Sequence, residues 1–221
     1  MSNIFVITSC LNAKVGLIDH ETRYNQTLNT IKSIRDRVKD SIIVFVDSSA
    51  TFVSEEKMKT IRDMCDYSVA LFNHSVAIDL AEKGLKTPGE AYNMIVAFDI
   101  IRSFNPQDVK RVFKITGRAE LTDDFHIEDY DNMDGKFVFK TRNKSWMSPA
   151  LELVDTRLWS FDYKDLEDVA KMMANLYNDY FTTGWDMEHL IFKALPKDKL
   201  VEKNVIGLKC QVSSDGRIQY D

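Results

Sequence analysis

Apolar residues follow two rhythms along this chain. Short unbroken runs, Ile4 to Ile7 and Ile42 to Val46, end in small polar or acidic residues, Thr8-Ser9 and Asp47-Ser48-Ser49. Runs of this kind read as strands buried on both faces. Between them, Tyr24, Leu28, Ile31, Ile34 and Val38 recur every three or four residues from Glu21 to Lys39, with Arg23, Lys32, Arg35 and Arg37 off that face. This spacing predicts an amphipathic helix. Ser54 before Glu55 and Glu56 starts another helix, running to about Met64, because acids favour the positive end of the helix dipole. Tyr67 to Phe72 supply a third strand. Thr87-Pro88-Gly89-Glu90 reads as a helix start with Thr87 as the cap, Pro88 at the first position and Glu90 returning a bond to the cap. That helix continues through Tyr92, Ile95, Val96, Phe98 and Ile101, and Arg111 to Ile115 form a fourth strand ending at Thr116-Gly117.

Strands separated by helices amount to repeated βαβ units, which build a mainly parallel α/β sheet. After Gly117 the rhythm changes. Lys136 to Thr141 and Leu151 to Asp155 read as strands of a hairpin or small mixed sheet. Helices over about Asp165 to Tyr180 and Trp185 to Leu195 follow, then a last strand near Val205 to Val212. The expectation is one domain of 221 residues in two halves, about 1–118 and about 119–221.

Composition narrows the function classes. A net charge of -5 argues against general nucleic-acid binding, which needs a positive field. Cys10, Cys65 and Cys210 show neither a metal-finger spacing nor a disulfide framework. No apolar stretch approaches the ~20 residues of a membrane span. With no charged leader before the first strand, the expected location is the cytoplasm.

In open α/β sheets ligands bind beyond the carboxyl ends of the strands. The candidates there are Thr8, Ser9, Asp47, Ser48, Thr116, Gly117 and Arg118. An acid at a strand end can hydrogen-bond ribose hydroxyls or a base edge, and it is equally common where a strand enters a turn. No glycine-rich phosphate loop is present, so side chains, a metal or a helix N-terminus must hold any phosphate. Arg118 can grip a diphosphate bidentately or pair with Glu120, Asp123 or Asp124 at the surface. Lys140, Arg142 and Lys144 beside Trp146 fit phosphate or sugar contacts, or a solvated strand edge. Asp129, Asp131 and Asp134 miss the calcium-loop spacing and read as a turn. The four histidines share no zinc-ligand spacing. In Thr183-Gly184-Trp185-Asp186-Met187-Glu188-His189, Thr183 and Asp186 can form a capping pair. Asp186 and Glu188 are then either dipole-favoured acids or a proton acceptor for a hydroxyl.

As an ordered set, several segments resemble a GT-A-type glycosyltransferase, in particular the small forms of viruses, phages and bacterial surface-polysaccharide clusters. They are Phe5 to Ser9, Thr22-Arg23-Tyr24 with Thr27 and Ile34-Arg35, Phe45 to Ser48, Gly89 to Asn93, Phe113 to Arg118 and Trp185 to His189. The resemblance implies a Rossmann-like, mainly parallel central sheet with helices on both faces and a small mixed-sheet acceptor lobe. It implies a nucleotide-sugar donor, with a UDP-sugar preferred, held by the first half and a glycan or glycoconjugate acceptor held by the second. Thr8, Ser9, Arg23, Asp47, Ser48, Lys114, Gly117 and Arg118 would bind the donor, with Asp47 on the base or ribose and Arg23 reaching the diphosphate. Asp186 and Glu188 would supply the catalytic base of an inverting transfer. Where most such enzymes carry Asp-x-Asp for manganese or magnesium, this chain reads Thr116-Gly117-Arg118, so either Arg118, with Lys114, does the metal's electrostatic work or a metal binds through other acids. The competing readings are a catalytically silent nucleotide- or glycan-binding module and, less fitting for want of a glycine-rich basic loop, a nucleotidyltransferase.

Overall fold

In the computed structural model, which describes residues 2–148, 150–212 and 216–221, the first half follows the anticipated order. Strand β1 (Ser2–Ser9) leads to helix α1 (His20–Arg37), β2 (Ser41–Asp47), α2 (Glu55–Met64), β3 (Tyr67–Ala70), α3 (Ser75–Glu82), α4 (Lys86–Phe104) and β4 (Val109–Thr116). Ser54 caps α2 as its sequence signals, accepting from the Lys57 amide. The periodicity had passed over α3. It is only eight residues long, and its buried positions, Ala77 and Leu80, are too few to register a stripe.

Helix α4 starts earlier than Thr87. Its N-cap is Leu85, which has no side-chain cap bond. Gly84, at φ +66°, turns the chain sharply out of α3, so the helix is already under way at Lys86. Pro88 is tolerated in the first turn because amides there have no intrahelical partner. Thr87 Oγ1 instead accepts the Met187 amide at 3.1 Å, tying this helix start to a later one.

The second half comprises β5 (Ala119–Leu121), β6 (Phe137–Lys140), β7 (Asn143–Lys144), β8 (Glu152–Leu153), β9 (Leu158–Asp162), α5 (Leu166–Thr183), α6 (Met187–Ala194), β10 (Leu200–Lys203), β11 (Leu208–Gln211) and β12 (Ile218–Tyr220). The central sheet has seven strands in the order β10-β6-β9-β4-β1-β2-β3. β3, β2, β1 and β4 pair in parallel, β9 is antiparallel to β4 and β6, and β10 is parallel to β6. The expected mainly parallel sheet is present. Phe137–Lys140 extend this sheet instead of forming a separate one. Of the expected strand over Leu151 to Asp155, only β8 pairs, in a two-residue ladder with β7. The longer strand is β9, whose Trp159-Ser160-Phe161 is buried between two neighbours. β5, β11 and β12 make a three-stranded antiparallel sheet.

Alternate residues of β1 and β2 face opposite sides, as the pleat requires. Ile4, Val6, Val44 and Val46 pack with α4, α5 and α6, whereas Phe5, Ile7, Ile43 and Phe45 pack with α1 and α2. Helices therefore cover both faces, and continuous apolar strands are the result. Arg111, 2% exposed, bridges the second-half strands by donating to Ser160 Oγ and to the carbonyls of Met133 and Lys136.

The β5–β11 sheet is locked against the turn before β6 at Gly207, where φ is +68° and an added Cβ would fall 2.1 Å from the Phe125 nitrogen. Gly207→Ala is expected to destabilise the fold by about 2 kcal/mol or more, through backbone strain and a clash that only main-chain movement can relieve. Urea denaturation monitored by circular dichroism checks this, with a shifted midpoint and an unchanged slope.

Candidate active site

The carboxyl ends of β1, β2 and β4 open into a cavity of about 180 Å³. Its floor is Thr8, Ser9, Ser48, Thr116 and Gly117, and the loop after β1 supplies Cys10, Ala13, Lys14 and Val15. One wall is the apolar face of α3 (Ala77, Leu80, Ala81), and another is the first turns of α4, with Lys86, Gly89, Glu90 and Asn93. Because β1 lies between β2 and β4, chain connections leave to both sides at this point, where open sheets leave a crevice.

Thr8, Ser9, Arg23, Ser48, Gly117 and Arg118, six of the donor-site candidates, line this one cavity. Gly117 is there for space, since a Cβ would lie 3.2 Å from Ser9 Cβ and from Thr27 Oγ1. Its carbonyl accepts from Thr27 Oγ1 at 2.9 Å and its amide donates to Thr8 O at 2.9 Å. Arg23 is buried and donates to three carbonyls of the β1–α1 loop, Ile18, Cys10 and Val15. Arg118 donates to the Gln211 carbonyl at 2.9 Å and does not pair with Glu120, Asp123 or Asp124. Those acids instead meet Lys209, Arg37 and solvent. Neither guanidinium has a carboxylate partner among the described residues. They are close enough that burial, and then the Arg118 charge, lower the Arg23 pKa. Two unneutralised cations held side by side favour an anion between them.

The other two donor-site candidates lie beneath the surface. Asp47 is 1% exposed; its Oδ1 accepts from the Leu11 amide at 2.8 Å and its Oδ2 from the Ser49 amide at 3.1 Å. Burial raises its pKa and those hydrogen bonds oppose the rise. Lys114 is also buried; it forms an ion pair with Glu90 and donates to the Thr156 carbonyl at 2.7 Å. Cys10 borders the cavity as an inert thiol, pushed up to about 12 by burial and then by Asp47.

The acidic pair sits at the start of α6, outside the set of residues lining the cavity. Asp186 alone is the N-cap, accepting from the His189 amide, while Thr183 closes α5. The His189 ring links Asp186 Oδ1, 2.5 Å from Nδ1, to Ser145 Oγ, 2.6 Å from Nε2. Glu188 accepts from Thr156 Oγ1 at 2.9 Å. Its carboxyl is raised by burial first, then by the charges of Glu90 and Asp186. Lys114 thus links the Glu90 carboxylate, which lines the cavity, to the backbone of Thr156, whose hydroxyl holds Glu188. Glu90, Asn93, Lys14 and Lys86 were not among the candidates. A polar Asn on the buried face of an apolar helix was the signal that marked one of them.

The GT-A pattern implies a divalent cation at the end of β4. The donor set there is Thr116, Gly117 and Arg118, and no three His, Cys, Asp or Glu side chains converge to hold a metal among the described residues. A guanidinium at the place of a metal-binding carboxylate repels a cation, so these residues do not fit one. Among the described residues, no helix is long and apolar enough to cross a membrane.

The architecture is shared with solved structures. The galactosyltransferase LgtC, in complex with donor and acceptor sugar analogues, aligns over 91% of this chain and 73% of its own, at 12% identity and TM-score 0.53. Mouse xyloside xylosyltransferase 1 aligns over 92% and 85%, at 7% identity and TM-score 0.53. A nucleoside-diphosphate-sugar pyrophosphorylase from Vibrio cholerae aligns over 92% and 93%, at 10% identity and TM-score 0.52. No protein-family model and no curated protein matches the sequence. At these identities the likeness establishes the GT-A fold, which hosts more than one chemistry.

The raised Glu188 carboxyl has a stability consequence. A folded-state pKa above the unfolded value of about 4.3 means that the native state holds the proton more tightly, so stability falls as pH rises past that value. Glu188→Gln removes the cost while keeping an acceptor for Thr156. Its melting temperature is expected to exceed wild type at pH 7–8 and to converge with it near pH 4, as read by differential scanning fluorimetry across pH.

Proposed function

We propose that this protein is a glycosyltransferase that moves a sugar from a nucleoside-diphosphate sugar to a hydroxyl of a glycan or glycoconjugate. The carrying observation is the cavity at the β1/β2/β4 ends, lined by Arg23 and Arg118, which have no carboxylate partner among the described residues, and by Lys86 and the Glu82-paired Lys14. Such a site suits a diphosphate and the charge that grows on it as the glycosidic bond breaks. Thr8, Ser9, Ser48 and Gly117 frame the donor. Asp47 acts from beneath, holding the Leu11 amide so that the loop closes over the nucleoside. The α4 N-terminus faces the same space and adds its positive dipole end. A UDP-sugar is the preferred donor, because that nucleotide is common among the enzymes the sequence resembles.

The reaction balances without a further reactant. The acceptor oxygen bonds to the anomeric carbon as the anomeric carbon–oxygen bond to the diphosphate breaks, and the hydroxyl proton passes to a carboxylate. Glu188 is the proposed base: its raised proton affinity suits that role, and single displacement gives inversion. Asp186 supports it through the α6 cap. Arg118 and Arg23 take the electrostatic part that a divalent cation plays in Asp-x-Asp enzymes.

Incubated with UDP-, GDP-, CDP- and dTDP-sugars, the protein should show a raised melting temperature with at least one donor. Nucleotide release should continue in EDTA; strict manganese dependence would sink the arginine account. Arg118→Met should weaken donor binding tenfold or more, the scale of a lost charge-assisted bond. Glu188→Gln should abolish transfer while donor binding survives. If neither Glu188→Gln nor Asp186→Asn alters any measurable turnover, the protein is a binding module of the same fold.

A further inference from the structure

The α4 wall of the cavity carries two side chains with hydrogen-bond acceptors of different kinds, Glu90 and Asn93. Glu90 and Asn93 lie three residues apart and so share one helix face, and both line the cavity. Asn93 is 3% exposed. Its Nδ2 donates to Ser9 O at 3.2 Å and to Ser48 Oγ at 3.0 Å. Ser9 O can only accept, so the amide must turn its nitrogen that way. This leaves Oδ1 buried, with no hydrogen-bond partner among the described residues. An acceptor left bare inside a protein is costly and uncommon, and beside a cavity a donor from a bound ligand can satisfy it. Glu90 is held by Lys114 through one oxygen, and its side chain remains 29% exposed on the cavity side. The same cavity is lined by the cations Lys14, Lys86, Arg23 and Arg118. A ligand that suits both kinds of group carries an anion and several O–H donors.

On the donor reading above, we propose that Glu90 and Asn93 form the subsite that recognises ring hydroxyls of the nucleotide sugar, their acceptors taking O–H groups while the guanidiniums hold the diphosphate. Hydroxyl chemistry is common to the transferred sugar and to ribose, and the two sources separate by experiment. Neither residue contributes charge to the diphosphate grip, so losing them should leave the affinity for a bare diphosphate intact. Glu90→Gln keeps an oxygen for Lys114 and sacrifices only the charge-assisted acceptance. It carries the test if Asn93→Ala, which also releases Ser9 and Ser48, fails to fold.

The measurement is isothermal titration of the full chain and its variants with UDP-glucose, GDP-mannose, UDP, GDP, 2′-deoxy-UDP and inorganic pyrophosphate. Asn93→Ala and Glu90→Gln are expected to weaken the better-bound nucleotide sugar roughly five- to tenfold, the size of one lost hydrogen bond, with pyrophosphate affinity unchanged. Weakening confined to the sugar-bearing ligands assigns the subsite to the transferred sugar. Weakening of UDP and GDP alike, with 2′-deoxy-UDP unaffected, assigns it to ribose. Variants that bind every ligand as wild type does, or that lose pyrophosphate in parallel, overturn the proposal. Wild-type protein that binds pyrophosphate but none of the nucleotides sinks the donor reading itself, and that failure shows without any variant.

Discussion

A buried carboxylate with no cation partner among the described residues governs this site. Asp47 ends β2 inside the protein, and its two oxygens are satisfied by the amide of Ser49, two residues on, and that of Leu11 in the β1–α1 loop. Burying such a group is tolerable only while those bonds stand. The β1–α1 loop is therefore obliged to fold back over the sheet edge. Arg23 meets the same loop from below through three carbonyls. Loop, strand end and guanidinium thus become one unit, and the cavity is the space this unit leaves in front of α3 and α4.

The unit also divides charge across the cavity. Cations that hold the loop or cross to the β11 backbone, Arg23 and Arg118, have no carboxylate partner among the described residues. Across the site, Lys114 is wedged between the Glu90 carboxylate and the Thr156 carbonyl, with Glu188 behind Thr156. The Thr87–Met187 bond ties the starts of α4 and α6, which is why residues almost a hundred positions apart meet in one acidic neighbourhood. The cavity lining therefore holds cations without carboxylate partners among the described residues, and the Glu188 carboxyl lies outside it, behind Thr156.

Much of the fold was legible along the chain because its first half obeys local rules. β1 and β2 carry continuous apolar runs, β4 has an apolar frame around Arg111 and Lys114, and α1 keeps a helical period, so tertiary contacts reinforced what those segments already favoured. The second half was harder to read. Leu151 to Asp155 reads as a strand, yet its edge finds only the two residues of β7, while Leu158–Asp162 pairs along five residues of β4 and meets β6 on its other side at Ser160. Strand choice there depended on neighbours distant in sequence, which no local pattern reveals. Thr87 shows the same limit at a helix end. Its capping signature was sound, but the Gly84 turn moved the helix start upstream and released the hydroxyl for Met187.

The sequence by itself determined where polar chemistry would gather: at the ends of apolar strands, in Thr8-Ser9, Asp47-Ser48 and Thr116-Gly117-Arg118, because a continuous buried run must end where the sheet meets solvent. It also determined that no carboxylate pair stands at the end of β4. Only the tertiary structure decided which of those residues face the cavity and which hold it up. Asp47 and Lys114 turned inward because amides, a carbonyl and a carboxylate from distant segments were there to satisfy them. Glu90 and Asn93 came forward because α3 and the Gly84 turn aim the first turns of α4 at the sheet edge. Partnership across long sequence separation, which burial of charge makes obligatory, set those roles.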